Sequence, residues 1–270
     1  MRLGINGDFG HKNPDEWIKL VEKFGVKAVV APMTKDAPPE VRQDYLKYIH
    51  ENDLVIGEVG IWKNSIDKNE QKRKEAIEFS KQQLAFADEI EARCCVNIAG
   101  SAGEIWDAYY PENYSEEVYT LIVDTTREII DSVKPTRTFY TLEPMYWMHP
   151  DSPEDYLKLL KDIDRKEAAV HLDYINMING FEKYHNRKQF IKECFDKLGP
   201  YTKSIHAKDI ILDNAPPCCL KEMMPGKGVI DFHYILELAS QLPEDVPVFV
   251  EHLTTLTEYE MALQCLKDAL

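Results

Sequence analysis

The sequence has no apolar run approaching the ~20 residues a helix needs to cross a bilayer. Its opening, MRLGINGDFGHKNPDEW, lacks the apolar stretch of an export signal. No C-x-x-C pair occurs. The six cysteines are Cys94, Cys95, Cys194, Cys218, Cys219 and Cys265, and adjacent Cys-Cys suits a structural zinc site poorly. The expectation is a cytoplasmic protein with reduced thiols and no membrane partner. Basic charge is scarce: 32 Lys and Arg against 47 Asp and Glu give a net charge of −15. Such a field repels a phosphate backbone, so no nucleic-acid partner is expected. The one locally basic string, KNEQKRK at 68–74, falls in a helical pattern and reads as a solvated face. The G-x-G-x-x-G turn of a dinucleotide-binding sheet is also missing; residues 4–10 read GINGDFG.

What is present is a regular alternation. Short apolar runs at 2–6, 28–32, 55–62, 94–99, 138–143, 169–174, 203–208 and 247–252 read as strands. Between them lie stripes at helical spacing, such as Trp17, Leu20, Val21 and Phe24, opened by Pro14 and closed by Gly25. Alternating strands and helices imply parallel pairing through right-handed crossovers. Eight such units in 270 residues predict an α/β fold, a (β/α)8 TIM barrel. No linker divides the chain, so residues 1–270 read as a single domain, with 213–228 a long loop inside it.

In such a barrel chemistry sits at the C-terminal ends of the strands. Four consecutive apolar runs end in ligand-type residues: TFYTLE at 143, AVHLD at 173, SIH at 206 and VFVE at 251. Burial of such groups is otherwise costly. Three carboxylates and an imidazole at one rim need a cation to offset their repulsion. Glu143, Asp173, His206 and Glu251 therefore read as an oxygen-dominated metal set, suited to Mn²⁺, Mg²⁺, Fe²⁺ or Co²⁺. Lys208 shares a strand face with His206 and is a candidate acid; His171 shares one with Asp173. Glu58 and Asn97, at the ends of the third and fourth strands, are candidates for sugar hydroxyls. Glu58 is equally a candidate partner for Lys208. Tyr146, Trp147 and His149 offer aromatic surface, and Asn6, Asp8, Phe9 and His11 a pocket wall. Pro225-Gly-Lys-Gly228 reads either as a phosphate cradle or as a turn opening a helix.

The strings TLEPM, HLDYIN, SIHAKD, PGKGVIDF and VEHL resemble those of the xylose isomerase-like TIM barrel superfamily. Within it they are similar to the sugar phosphate isomerase/epimerase group and the ketose 3-epimerases. The resemblance implies one divalent metal on Glu143, Asp173, His206 and Glu251, most often Mn²⁺, with Zn²⁺ also compatible. It further implies that Glu143 and Glu251 exchange protons with substrate from opposite sides, with Lys208 assisting. The expected activity is a metal-dependent isomerase or epimerase of a carbohydrate-type keto substrate, acting by proton abstraction beside the carbonyl through an enediolate. Glu58, Asn97, Trp147, His171 and Asn176 are the expected substrate-binding residues. The expected partner is a sugar or sugar derivative, and the expected assembly a homo-oligomer. Two departures stand out. Asn176 occupies the place, three residues after Asp173, where ketose 3-epimerases usually carry His, and residues 207–230 hold no Arg where they usually carry one. They favour a neutral substrate and keep a lyase or dehydratase acting on a keto-polyol or keto-glycoside as the alternative. The intact ligand set argues against a non-catalytic sugar-binding barrel.

Overall fold

A computed structural model of the chain describes residues 1–7, 10–242 and 246–270. In chain order the elements are β1 (Arg2–Ile5), α1 (Pro14–Phe24), β2 (Ala28–Val30), α2 (Pro39–Glu51), β3 (Val55–Gly60), α3 (Glu70–Glu89), β4 (Cys94–Asn97) and α4 (Glu116–Val133). There follow β5 (Phe139–Leu142), α5 (Pro153–Ile163), β6 (Ala168–Leu172), α6 (Phe181–His185), α7 (Arg187–Leu198) and β7 (Thr202–His206). The chain ends with β8 (Asp209–Asp213), β9 (Cys219–Met223), α8 (Phe232–Ser240), β10 (Pro247–Val250) and α9 (Leu256–Asp268). Eight strands close a barrel in the order β1-β10-β7-β6-β5-β4-β3-β2. The predicted (β/α)8 barrel is thus the observed fold. Among the described residues no helix is long and apolar enough to cross a membrane.

One sequence expectation is corrected here. Segment 213–228 is not simply a loop: β8 and β9 form an antiparallel hairpin, in register from Asp209↔Met223 to Asp213↔Cys219. Its two strands are joined through Pro216 and Pro217, which broke the apolar pattern and hid the pairing.

The chain packs as two compact units, Met1–Gly57 with Ser204–Leu270, and Glu58–Lys203. In the first, the local rules are plain at α1. The Asn13 side chain accepts from the Glu16 N–H, Pro14 takes the first turn, and Gly25 ends the helix at φ 58°. The interior of this unit turns on Phe249. It lies in register with His206 on β7 and with Gly4 on β1, so all three side-chain positions share one face. A Cβ on Gly4 would approach Phe249 Cε1 to 2.4 Å, so only glycine leaves room for the ring. Phe249 in turn supports Glu251, two residues farther along the same face.

In the second unit β4, β5 and β6 pair in parallel, with Asn97↔Leu142 and Leu142↔Val170 in register. Tyr156 of α5 fastens them: its hydroxyl donates to the Leu142 carbonyl and accepts from the His171 N–H. The entry to β5 is held by Asp88. Its Oδ1 accepts from the backbone N–H groups of Thr136 at 2.7 Å, Arg137 at 2.6 Å and Thr138 at 3.2 Å. Burial pushes this carboxyl up, but the three N–H donors and the Arg137 charge outweigh it and hold it below its ordinary value. That stabilisation is present above the unfolded-state value and is lost as pH falls through the folded one. Asp88→Asn is therefore expected to lower stability by about 1 kcal/mol at pH 7, with the deficit closing at strongly acid pH. Urea unfolding at neutral and acid pH checks it; a deficit independent of pH would rule out the charge as the cause.

Candidate metal centre

Within Glu58–Lys203, Glu143 directly follows β5, and its N–H donates to the Asn97 carbonyl at 2.7 Å. Asp173 directly follows β6 and is fully buried. Asn176, in the turn that leaves β6, binds both. Its side-chain Nδ2 donates to Glu143 Oε1 at 3.0 Å, and its backbone N–H donates to Asp173 Oδ1 at 3.0 Å. Both donors are neutral, so they orient the carboxylates without cancelling their charge. Deeper in β3 and β6, Glu58 and His171 form a buried pair, Oε1 to Nδ1, at 3.4 Å.

Within the other unit, β7 ends at His206 and β10 is followed by Glu251. His206 Nδ1 lies 2.7 Å from Glu251 Oε1, and its Nε2 lies 3.2 Å from Asn6 Nδ2. Buried Lys208 places its ammonium 2.7 Å from the same Glu251 oxygen and 3.8 Å from Glu222 of β9. Glu222 also meets His252 Nδ1 at 3.1 Å, and this hydrogen bond holds the imidazole above its ordinary pKa.

Glu143, Asp173, His206 and Glu251 are all buried, and each offers one ligand atom; these atoms lie within 4.8 Å of one another. The donor set fits a divalent ion. Three carboxylates carry three negative charges, Lys208 offsets one, and a doubly charged cation matches the remaining two. Oxygen donors with a single imidazole suit Mn²⁺, Mg²⁺ or Fe²⁺.

A model of the xylose isomerase-like TIM barrel family matches residues 16–269. The chain belongs to that family. No curated protein matches it. Among solved structures, this xylose isomerase-like barrel is similar to a D-psicose 3-epimerase crystallised with D-fructose, at 14% identity and TM-score 0.72, over 100% of this chain and 98% of that one. It is also similar to a 3-keto-D-glucoside 4-epimerase from E. coli, at 19% identity and TM-score 0.68, over 99% of each chain. A probable 3-DHS dehydratase from Bacillus anthracis aligns at 15% identity and TM-score 0.74, over 99% of each. These likenesses show the fold.

The remaining sequence candidates fare differently. Asn97, expected at substrate hydroxyls, has its amide on the chain itself: Oδ1 accepts from the Lys63 N–H at 3.1 Å, and Nδ2 donates to the Lys63 carbonyl at 2.9 Å and to Ser65 Oγ at 3.4 Å. Its register with Leu142 puts it on the same side of the sheet as Cys95 and Tyr140, and it brackets the chain leaving β3. Trp147 is half-buried, donating from Nε1 to the Asp107 carbonyl at 2.8 Å, with Tyr146 at 5.5 Å between ring centroids. His149 Nδ1 is engaged by Asp155 at 2.7 Å. Glu58 lies against His171, its carboxylate 3.4 Å from the imidazole. Asp8 and Phe9 lie outside the described residues. Asn6 and His11 do line a cavity. The contacts of Asn6 with His206, of Asn176 with Glu143, and of Glu222 with Lys208 join residues that no short spacing links.

The phosphate reading of Pro225–Gly228 is corrected by Asp209. This buried carboxylate accepts from the N–H groups of Gly226 at 3.0 Å, Gly228 at 2.8 Å, Ile230 at 3.0 Å and Ile210 at 2.9 Å. The donors a phosphate would need are already taken by an anion of the chain itself. A Cβ on Gly228 would come within 2.2 Å of Asp209 Oδ1, so the turn closes only around glycine. Asp209→Ala leaves four backbone donors without their acceptor, and a loss of at least about 3 kcal/mol is expected in chemical denaturation. Stability within 1 kcal/mol of the parent, roughly the ordinary size of a surface change, would mean that the clasp carries no weight.

Proposed function

We propose that this protein is a divalent-metal-dependent isomerase or epimerase of a carbohydrate-type keto substrate, with Mn²⁺ as its ion. The observation that carries this reading is the buried convergence of Glu143, Asp173, His206 and Glu251 with one compensating Lys208. The family and the sugar epimerases among the structural neighbours support it.

An ion held by these four residues would polarise a ketone oxygen and stabilise the negative charge that develops there when the neighbouring carbon loses its proton. The chain's own residues handle the proton. Glu251, held by Lys208, takes it from the carbon beside the carbonyl. Glu143, held by Asn176, takes up a proton from water and returns it, to the same carbon for epimerisation or to its neighbour for isomerisation, while Glu251 releases its own to solvent. Lys208 keeps Glu251 oriented and places an ammonium beside the substrate oxygens. A dehydratase, as one structural neighbour is named, would use the same base and expel a hydroxyl instead.

In deuterated water with a panel of keto sugars, an epimerase leaves deuterium at one carbon with the mass otherwise unchanged, whereas a lyase changes the skeleton or loses water. Glu251→Gln is expected to cut that exchange about 100-fold or more while retaining part of the ion affinity, because the amide oxygen still ligates but accepts no proton. Undiminished exchange would remove Glu251 as the base. Asn176→Ala is expected to weaken Mn²⁺ binding about 10- to 100-fold, read by competition with a chelating dye. Unchanged affinity would show that Glu143 and Asp173 need no orienting group.

A further inference from the structure

A cavity of about 340 Å³ opens at the C-terminal ends of β1 and β2. Small-molecule pockets span roughly 300–1,000 Å³, so it has room for one ring. Ile5, Val29 and Met33 give it apolar lining, and Asn6, His11 and Thr34 polar edges. Trp17 closes its floor, 2% exposed and fixed by edge contacts to Tyr45 and Tyr48 at 5.4 and 5.9 Å between ring centroids. That arrangement suits a sugar ring, which offers C–H faces to apolar lining and hydroxyls to polar groups. Among the described residues no Lys or Arg lines the cavity, so none of them there is matched to a phosphate.

Two contacts refine the assignment. Asn6 both lines the cavity and lies 3.2 Å from His206 Nε2, so the cavity begins one side chain away from the proposed metal set. His11 Nε2 lies 3.0 Å from the Pro32 carbonyl, which only accepts, so Nε2 carries the hydrogen. In the neutral ring Nδ1 is then an acceptor. It is buried, and among the described residues it has no hydrogen-bond partner. A buried acceptor without a donor is costly, and a ligand hydroxyl would supply one.

We propose that this cavity holds the second ring of the substrate, so that the protein acts on a neutral keto-glycoside rather than on a free ketose. This rests on the function proposed above and adds its substrate class. The remote ring contributes binding energy made away from the reacting carbon.

The test compares 3-keto-cellobiose with methyl 3-keto-β-D-glucopyranoside on the Mn²⁺-loaded full chain, by calorimetry and by deuterium exchange. The disaccharide is expected to bind about tenfold tighter, the gain from one ring held against apolar lining and one hydrogen bond. Thr34→Trp, which fills the cavity from an exposed position, and His11→Phe, which keeps a ring against Tyr45 but removes the acceptor, are each expected to bring that ratio close to one. Equal affinities in the parent, binding of neither probe, or a ratio untouched by both variants would overturn the proposal. An intact affinity ratio with no deuterium exchange on either probe would support the cavity's role while removing the proton chemistry proposed above.

Discussion

Buried carboxylates lose hydration and repel one another, so each needs a partner or a cation. The ionisable groups at these strand ends are arranged around that constraint, and they meet it in two ways. Glu251 has an ammonium at 2.7 Å, and Glu58 has an imidazole at 3.4 Å. Glu143 and Asp173 instead receive neutral N–H donors from Asn176, which fix their direction and leave their charge in place. The chain thus neutralises some carboxylates and aims others. That is the pattern expected where an incoming doubly charged ion completes the balance.

Supports behind the charged groups keep them from relaxing. Phe249 fills the space that Gly4 leaves and underlies Glu251 on the same face of β10. Tyr156 ties the Leu142 carbonyl, one residue before Glu143, to the backbone of His171, two residues before Asp173. Asp209, directly after Lys208, clasps four backbone N–H groups and so anchors the segment that presents the lysine. Groups that must sit within tenths of an ångström of a shared ion gain from supports that are themselves locked.

The fold was legible because period-2 and period-3.6 segments alternate eight times, and the cluster of Glu143, Asp173, His206 and Glu251 because an ionisable residue ends each of four apolar runs. The direction of Asn97 was not legible, for a definite reason. Strands of a parallel barrel are covered on both faces, and all four residues of β4, CCVN, are buried. With no polar alternation to mark the outer face, the run does not say whether Asn97 points to the mouth or toward the helices. Glu143 escaped that ambiguity because an ionised carboxylate tolerates few burial environments, whereas an amide is satisfied by any backbone pair. The β8–β9 hairpin was hidden by Pro216 and Pro217. The pairing of Asn6 with His206 spans 200 positions and leaves no trace in spacing.

The two departures from the ketose 3-epimerase pattern acquire a shared physical sense. A histidine at position 176 could contact a substrate oxygen directly, whereas Asn176 spends its amide on Glu143 and its N–H on Asp173. An arginine after β7 could grip hydroxyls from that side, whereas residues 207–230 have none, and Lys208 lies against Glu251 and Glu222. Two direct handles on a small ketose are therefore replaced by groups that hold the protein's own carboxylates. A substrate lacking those handles must be positioned through contacts elsewhere, and binding energy drawn from a remote part of a larger substrate does that without loading the reacting carbons. The cavity beside Asn6, with apolar lining, polar edges and, among the described residues, no cation, is where this chain supplies such contacts.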